Sequence, residues 1–325
     1  MRKQFFIGIT IAGICLYYAL RGVSFQDTIH AMAAAHLGWI ALGMMIYTMG
    51  YLLRGVRWKI LVDPIKVIPV TQLLGPMILG FFANNILPFR MGEFVRAHIT
   101  GRKFDISRTA SLGTILLERL LDTISFLATF LVSAFFFPFP RTVEKGAAFL
   151  GGACVLVIAG LILAIRYHVH ADAILEKVKL PERWKVQIND VVRNFVHGVS
   201  SMKRASDVLL ALVLSLIIWT IEGTTLYLFV RAFPISFSYP QSFFLLFFMG
   251  LSVTLPQAPG YVGTLELFGV TALALLGIPR SQGLPVILTI HALEFAFIFT
   301  LGVTFLLKEH LSLKSIIENG NGRGG

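Results

Sequence analysis

The sequence predicts an all-α integral membrane protein. Its expected architecture is six full transmembrane helices plus two opposed re-entrant, broken helical hairpins, arranged as inverted repeats. Three observations lead there. The 325 residues are 56% hydrophobic and only 14% charged, with a mean hydropathy of +0.78, too apolar for a water-soluble globule. Several apolar runs approach or exceed the roughly 20 residues that span a hydrocarbon core. Two further apolar regions are broken midway by Pro, Gly and ionisable residues, and such interruptions at membrane depth are tolerated only inside protein or beside a wet cavity. The net charge of +11 does not point to nucleic acid, because Lys and Arg gather in short segments between apolar runs, the pattern of cytoplasmic loops facing anionic headgroups.

The first run, Phe5 to Leu20, follows Arg2 and Lys3. No Ala-x-Ala-like site follows it, so it reads as a retained helix rather than a cleaved signal. Leu37 to Leu53 is the second, and Arg54, Arg57 and Trp58 after it read as interface anchors, with Trp58 in the aromatic belt and the arginines at the headgroups. Gln72 to Gly101 is the first broken region, interrupted at Asn84 to Arg96. Its flanks carry Arg54, Arg57, Lys59 and Lys66 on one side and Arg96, Arg102, Lys103 and Arg108 on the other. Two basic flanks on one side of the membrane make it a hairpin entering from, and returning to, the cytoplasm. Ala110 to Phe137 and Gly146 to Ile165 cross next, around a short, nearly balanced loop, Pro138 to Lys145. The basic stretch Arg166 to Arg204 lies inside, with an amphipathic interfacial insert at about 168–206. Val208 to Val230 crosses. The second broken region, Ser242 to Gly277, is interrupted at Leu255 to Glu266 and flanked only by Arg231 and Arg280, so it enters from outside. Val286 to Leu307 is the last crossing, and residues 308–325 form a cytoplasmic tail.

The chain is then a single polytopic domain, 1–325, in which helix, helix, hairpin, helix occupies about 5–137 and recurs with reversed direction at about 146–307. Local sequence echoes this: Leu87-Pro88 precedes Gly92-Glu93 as Leu255-Pro256 precedes Gly263 and Glu266, and Glu118 and Glu294 follow at similar distances. Opposed broken helices near the midplane are a recurring transporter design, with substrate bound where the halves meet.

The candidate substrate-binding residues cluster at these breaks. In the first hairpin they are Asn84, Asn85, Arg90, Gly92, Glu93 and Arg96. Pro88 and Gly92 let a new helix start near Gly92 or Glu93, whose free N–H groups and positive end suit an anion. Arg90 could fork two hydrogen bonds to a phosphate. Glu93 and Arg96, three apart, are expected to pair. Glu118, Arg119 and Asp122 lie within one turn and a half of a membrane helix; Arg119 reaches Asp122, and Arg90 or Arg96 are the simplest partners for the carboxylates. A structural ion pair and a substrate or proton role stay equally open there. In the second hairpin, Gly260, Gly263, Thr264 and Glu266 mark another inward helix start, with Thr264 as its N-cap and Glu266 in the first turn. Glu222, His291 and Glu294 are isolated polar groups, and His291 and Glu294 at i and i+3 are the possible coupling pair. Cys15 and Cys154 sit in apolar runs without a motif, so neither a disulfide nor a metal site is expected, and no catalytic residue or cofactor is called for.

Pro88-x-Arg90-x-Gly92-Glu93-x-x-Arg96, Glu118-Arg119-x-x-Asp122, Pro259-Gly260-x-x-Gly263-x-x-Glu266 and, more loosely, Arg54-x-x-Arg57-Trp58 resemble the flippase-like membrane proteins of bacteria and archaea. That family includes the transmembrane flippase region of lysylphosphatidylglycerol synthase, the multiple peptide resistance factor. The resemblance covers nearly the whole chain. It implies a plasma-membrane protein that moves or binds phospholipid-like or polyprenyl-phosphate-like molecules. The synthase also carries a large cytosolic domain that transfers lysine from tRNA, and no segment here is long enough to be it, so aminoacyl transfer does not carry over. The expected function is a lipid flippase or transporter holding an anionic headgroup in a midplane cavity. A membrane scaffold for a separately encoded lipid-modifying enzyme comes second. A membrane-embedded enzyme acting on a lipid-linked phosphate or sugar comes third, since neither a nucleotide fold nor an activated nucleophile is visible.

Overall fold

A computed structural model describes residues 2–87, 91–136, 152, 205–253 and 258–309. Among them are ten α-helices with defined ends and no strand: α1 Arg2–Leu20, α2 Phe25–Ala33, α3 Leu37–Val62, α4 Val70–Ile86, α5 Gly92–Phe104, α6 Arg108–Phe136, α7 Ala205–Arg231, α8 Tyr239–Ser252, α9 Thr264–Leu275 and α10 Arg280–Lys308, with a 3-10 turn at Pro259–Tyr261 before α9. The expected crossing at Gly146 to Ile165, Gly152 apart, the insert as far as residue 204 and the tail from 310 lie outside the described residues. So do Arg90 and the Leu255–Pro256 break.

Helices α3, α7 (from Ser206) and α10 are long and apolar enough to cross a bilayer; α1 and α2 qualify only together, as a pair bent by 80°. Among the described residues there are thus three or four candidate spans; of the six crossings expected, Gly146 to Ile165 lies outside the residues described. Helix α6 has the length, but Glu118, Arg119 and Asp122 interrupt its apolar run. Two elements differ from expectation. Helix α2 occupies a stretch with no helix expected, opened by Ser24, whose hydroxyl accepts from the Asp27 N–H at 3.3 Å. Helix α3 runs nine residues past Leu53, to Val62, and so carries Arg54, Arg57 and Trp58 within the fold.

The two broken regions are helical hairpins. In the first, Gly80 lies against Arg96 and Asn84 against Gly92, so α4 and α5 run antiparallel. Helix α5 ends at Asp105 in the left-handed region, where the Lys66 ammonium caps the Phe104 carbonyl at 2.6 Å. In the second, α8 packs on α9. Helices α3 and α7 form an antiparallel central pair, with Gly43 against Phe229, Gly50 against Ile221 and Arg57 against Ser215. The remaining packing follows a pattern. The α3–α4 contact is matched by α7–α8, α5–α6 by α9–α10, α6–α8 by α10–α4, and α3–α6 by α7–α10.

Polarity runs inside out. Arg57, Arg96 and Glu118 are at most 3% exposed. Phe295, Phe299, Val303 and Leu307, spaced four apart on α10, face outward, as do Met45, Met49, Leu52 and Val56 on α3. Water would penalise such continuous apolar stripes, whereas lipid tails do not. The dry part of the core is aromatic: Phe130 stacks on Phe247 with centroids 4.0 Å apart, joining α6 to α8.

Candidate functional site

The hairpin tip is set by a close approach. A Cβ on Gly92 would sit 2.0 Å from the Gly80 carbonyl oxygen, so only glycine lets α5 begin against α4. The Asn84 side-chain oxygen accepts the Gly92 N–H at 2.7 Å, and its amide reaches Glu93 Oε1 at 3.4 Å. Asn85 turns away and donates to the Phe81 carbonyl at 3.0 Å. The α5 start expected near Gly92 is therefore observed, with one of its free donors already taken by Asn84.

The expected Glu93–Arg96 pair does not form. Arg96 lies on the face of α5 that meets α6 and forks onto Glu118, Nη1 to Oε1 at 3.0 Å and Nη2 to Oε2 at 2.8 Å. Glu118 also takes Arg57 at 3.4 Å and a hydrogen bond from Arg119. Asp122, one turn on, takes Arg57 Nη1 at 2.5 Å, Arg119 at 3.3 Å and the Trp219 indole N–H at 3.2 Å. Ser215 Oγ accepts from Arg57 at 2.7 Å. Three guanidinium groups thus face two carboxylates, leaving one positive charge within the group, and Glu93 nearby contributes the opposing charge.

Arg57 and Trp58 are not interface anchors. Both are fully buried: Trp58 donates to Thr114 Oγ1 at 3.2 Å and lies 3.6 Å beneath the Arg96 guanidinium. Arg54 pairs with Glu222 across the α3–α7 contact at 2.6 Å, so Glu222 is not isolated. Arg54, Arg57, Trp58, Ser215, Trp219 and Glu222 are thus the members of the polar centre that sequence spacing missed. The family motif Arg54-x-x-Arg57-Trp58 was the signal available. The Nε donors of Arg57, Arg96 and Arg119 are buried without a partner among the described residues. Arg96 and Arg119 line a cleft of about 10 Å³ with Met77, Gly80, Phe81, Asn84, Gly92 and Glu93, room for about one water.

At the second hairpin the N-cap is Gly263, at φ +88°, and not Thr264, whose hydroxyl donates to the Tyr261 carbonyl at 3.1 Å. Glu266 accepts the Gly263 N–H at 2.6 Å, as a first-turn carboxylate should. The expected His291–Glu294 pair is also replaced: His291 bonds Glu266 Oε1 through Nδ1 at 2.6 Å and the Gly260 carbonyl through Nε2 at 2.7 Å. Glu294 instead feels Glu222, His291 and Arg54 electrostatically.

Charged residues held inside, apolar stripes outside and two broken helical hairpins define a polytopic helical membrane protein with a buried, arginine-rich centre. The chain belongs to the family described as the lysylphosphatidylglycerol synthase TM region, which matches residues 5–302. It is similar to a UPF0104 membrane protein of Methanothermobacter thermautotrophicus, 23% identical over 94% of this chain and 93% of that one. A UPF0104 membrane protein of Methanocaldococcus jannaschii is also 23% identical, over 72% of this chain and 97% of the relative. The glycosyltransferase AglD of Haloferax volcanii is 22% identical over 90% of this chain, which spans only 52% of that protein.

Proposed function

We propose that the chain is a flippase or transporter of an anionic phospholipid or polyprenyl-phosphate-like lipid. The observation that carries this reading is the buried centre of Arg57, Arg96 and Arg119, whose Nε donors are unmatched among the described residues, with Arg96 and Arg119 lining the cleft at the first hairpin tip. Buried donors of this kind cost free energy unless an acceptor arrives, and a phosphate oxygen is the acceptor that guanidinium groups fit best. The cleft is too small for a headgroup as it stands, so entry requires the hairpin tip or the half-exposed Arg119 to move. Acyl tails stay in lipid along the apolar outer stripes.

In this reading the hairpins re-enter from opposite faces, six helices cross, both termini are cytoplasmic and the membrane is the plasma membrane. The matched packing of α3–α4 with α7–α8 and of α5–α6 with α9–α10 supports two inverted repeats, at about 5–137 and 146–307. Purified protein in vesicles containing fluorescent phosphatidylglycerol tests the function: externally added dithionite should bleach the inner-leaflet pool. We expect Arg119→Ala to slow this about tenfold, the loss of one charge-assisted hydrogen bond. Bleaching no faster than in protein-free vesicles would overturn the reading.

The likeness to about half of a protein named a glycosyltransferase supports a second reading, a membrane unit that works beside a lipid-modifying enzyme. A stoichiometric soluble partner on purification, with no lipid movement, would favour it.

A further inference from the structure

The geometry points to a proton-binding site at Glu266 and His291 that clamps the tip of the second hairpin to α10 and opens when its proton leaves; its coupling role rests on the transport reading above. A neutral imidazole has one N–H and one lone pair. His291 makes two contacts at hydrogen-bond distance, Nε2 to the Gly260 carbonyl at 2.7 Å and Nδ1 to Glu266 Oε1 at 2.6 Å. The carbonyl can only accept, so Nε2 holds a proton. The second contact then needs a further proton, either on Nδ1 as imidazolium or on the Glu266 carboxyl. Without it, the Nδ1 lone pair and the carboxylate oxygen would face each other in a site where Glu266 is 3% exposed. The observed arrangement therefore contains one removable proton.

The clamp holds the turn that opens α9. Gly260 at φ +73°, Tyr261 at +61° and Gly263 at +88° lie within four residues; the glycines take this left-handed backbone freely, whereas Tyr261 must be held in it by what the turn touches. One side rests on α1, where a Cβ on Gly263 would come within 2.3 Å of the Ala12 carbonyl oxygen. The other side is tied to α10 through the His291 bonds to Gly260 and Glu266, and the Pro259–Tyr261 turn also packs on α4. When the proton leaves, the hydrogen bond between Nδ1 and Glu266 Oε1 is lost, the pair turns repulsive and the turn is released. The proton passes to water or to Glu294, one helical turn along α10, whose carboxylate is influenced by His291 and by Glu222 and Arg54 from α7 and α3. Tyr47 and Tyr51 of α3 face Glu222 and Glu294 as well. Helices α4 and α8 bring no charged side chain, and Asp27 and His30 of α2, which also packs on α10, are exposed.

The test uses full-length protein in phosphatidylcholine nanodiscs, so that protons are the only ligand varied. Solid-state nitrogen NMR of the histidine rings, with dipolar dephasing from glutamate carboxyl carbons, identifies the His291–Glu266 pair without any substitution. Between about pH 5 and about pH 9, the span over which histidine charge changes matter most, we expect Nε2 to stay protonated. The second proton and the carboxyl contact should disappear together in one single-proton step. Amide exchange at Gly263, corrected for intrinsic pH dependence, should rise at least tenfold at the same midpoint. In His291→Gln, which keeps a donor for Gly260 but cannot titrate, that rise should vanish. A lone pair on Nε2, a pair that never titrates, or titration without faster Gly263 exchange would each overturn the proposal. If the step appears but phosphatidylglycerol does not flip, the proton clamp stands and the transport reading falls.

Discussion

Glu118 is the residue on which the polar centre turns, because Arg57, Arg96 and Arg119 all bond its single carboxylate. Removing one partner of a buried ion cluster leaves the others charged and unmatched, which costs about 3–5 kcal/mol. We expect Glu118→Gln to lower the thermal unfolding midpoint of the purified protein sharply. The double change Arg96→Leu with Glu118→Leu should cost less than the two singles combined, because it removes a charge of each sign. Trp58 gives a sharper contrast. As a belt residue it would tolerate substitution, but packed beneath Arg96 with its N–H on Thr114 it should not. Trp58→Phe should cost about 1 kcal/mol and Trp58→Ala about 3–5 kcal/mol, measured by the same unfolding assay. Sequence spacing marked Arg96, Glu118, Arg119 and Asp122 as ionisable groups out of place in an apolar run. It also placed Arg119 beside Asp122 correctly, since both lie on one helix. It named Arg96 among the simplest partners of the Glu118 and Asp122 carboxylates, as observed, but its local pairings Glu93–Arg96 and His291–Glu294 failed, because spacing ranks partners three or four residues away while burial lets a carboxylate on another helix win. Glu118 and Glu266 were those carboxylates.

At the scale of elements, the helix starts and breaks were legible because Pro and Gly punctuate them. Helix α5 does begin at Gly92, and α9 follows Gly263. The start of α3 at Leu37 was legible too, but the presence of α2 was not, nor was the C-terminal end of α3, since charged residues at Arg54 and Arg57 read locally as the edge of a membrane helix. Only partners on α6 and α7 make their burial affordable. The α4–α5 hairpin should be the element least tolerant of added volume. In Gly92→Ala the new methyl meets backbone at Gly80, which cannot swing aside like a side chain. We expect the hairpin to splay, Arg96 to lose its fork on Glu118, and lipid flipping to fall at least tenfold, with a lowered unfolding midpoint as a second readout. By contrast, the Lys103–Glu309 bond between α5 and the end of α10 is partly exposed on both sides. Lys103→Ala should change stability by less than about 1 kcal/mol, and salt should weaken even that.

For the whole molecule, the inside-out distribution of polarity was visible in composition alone, but the number of crossings was not. Apolar length cannot tell a span from half of a hairpin, and α6 shows that a long helix can carry its charges to the centre of the fold. What sequence offers beyond length is the charge of the flanks, and the proposed topology rests on it: Lys66 and Arg108 flank the first hairpin, Arg231 and Arg280 the second. Each hairpin's two ends should then be reached from a single side, opposite for the two hairpins. Val67, Thr109, Ser236 and Ser281 are exposed positions on those four flanks. In a background with Cys15→Ser and Cys154→Ser, each of Val67→Cys, Thr109→Cys, Ser236→Cys and Ser281→Cys is exposed to a membrane-impermeant maleimide in intact cells and in inverted vesicles. We expect the first two to label only in inverted vesicles and the last two only in intact cells. If Val67→Cys and Thr109→Cys label from different sides, α4 and α5 together make a full crossing. The two halves would then share a direction, and an anion site between opposed hairpins would have no structural basis.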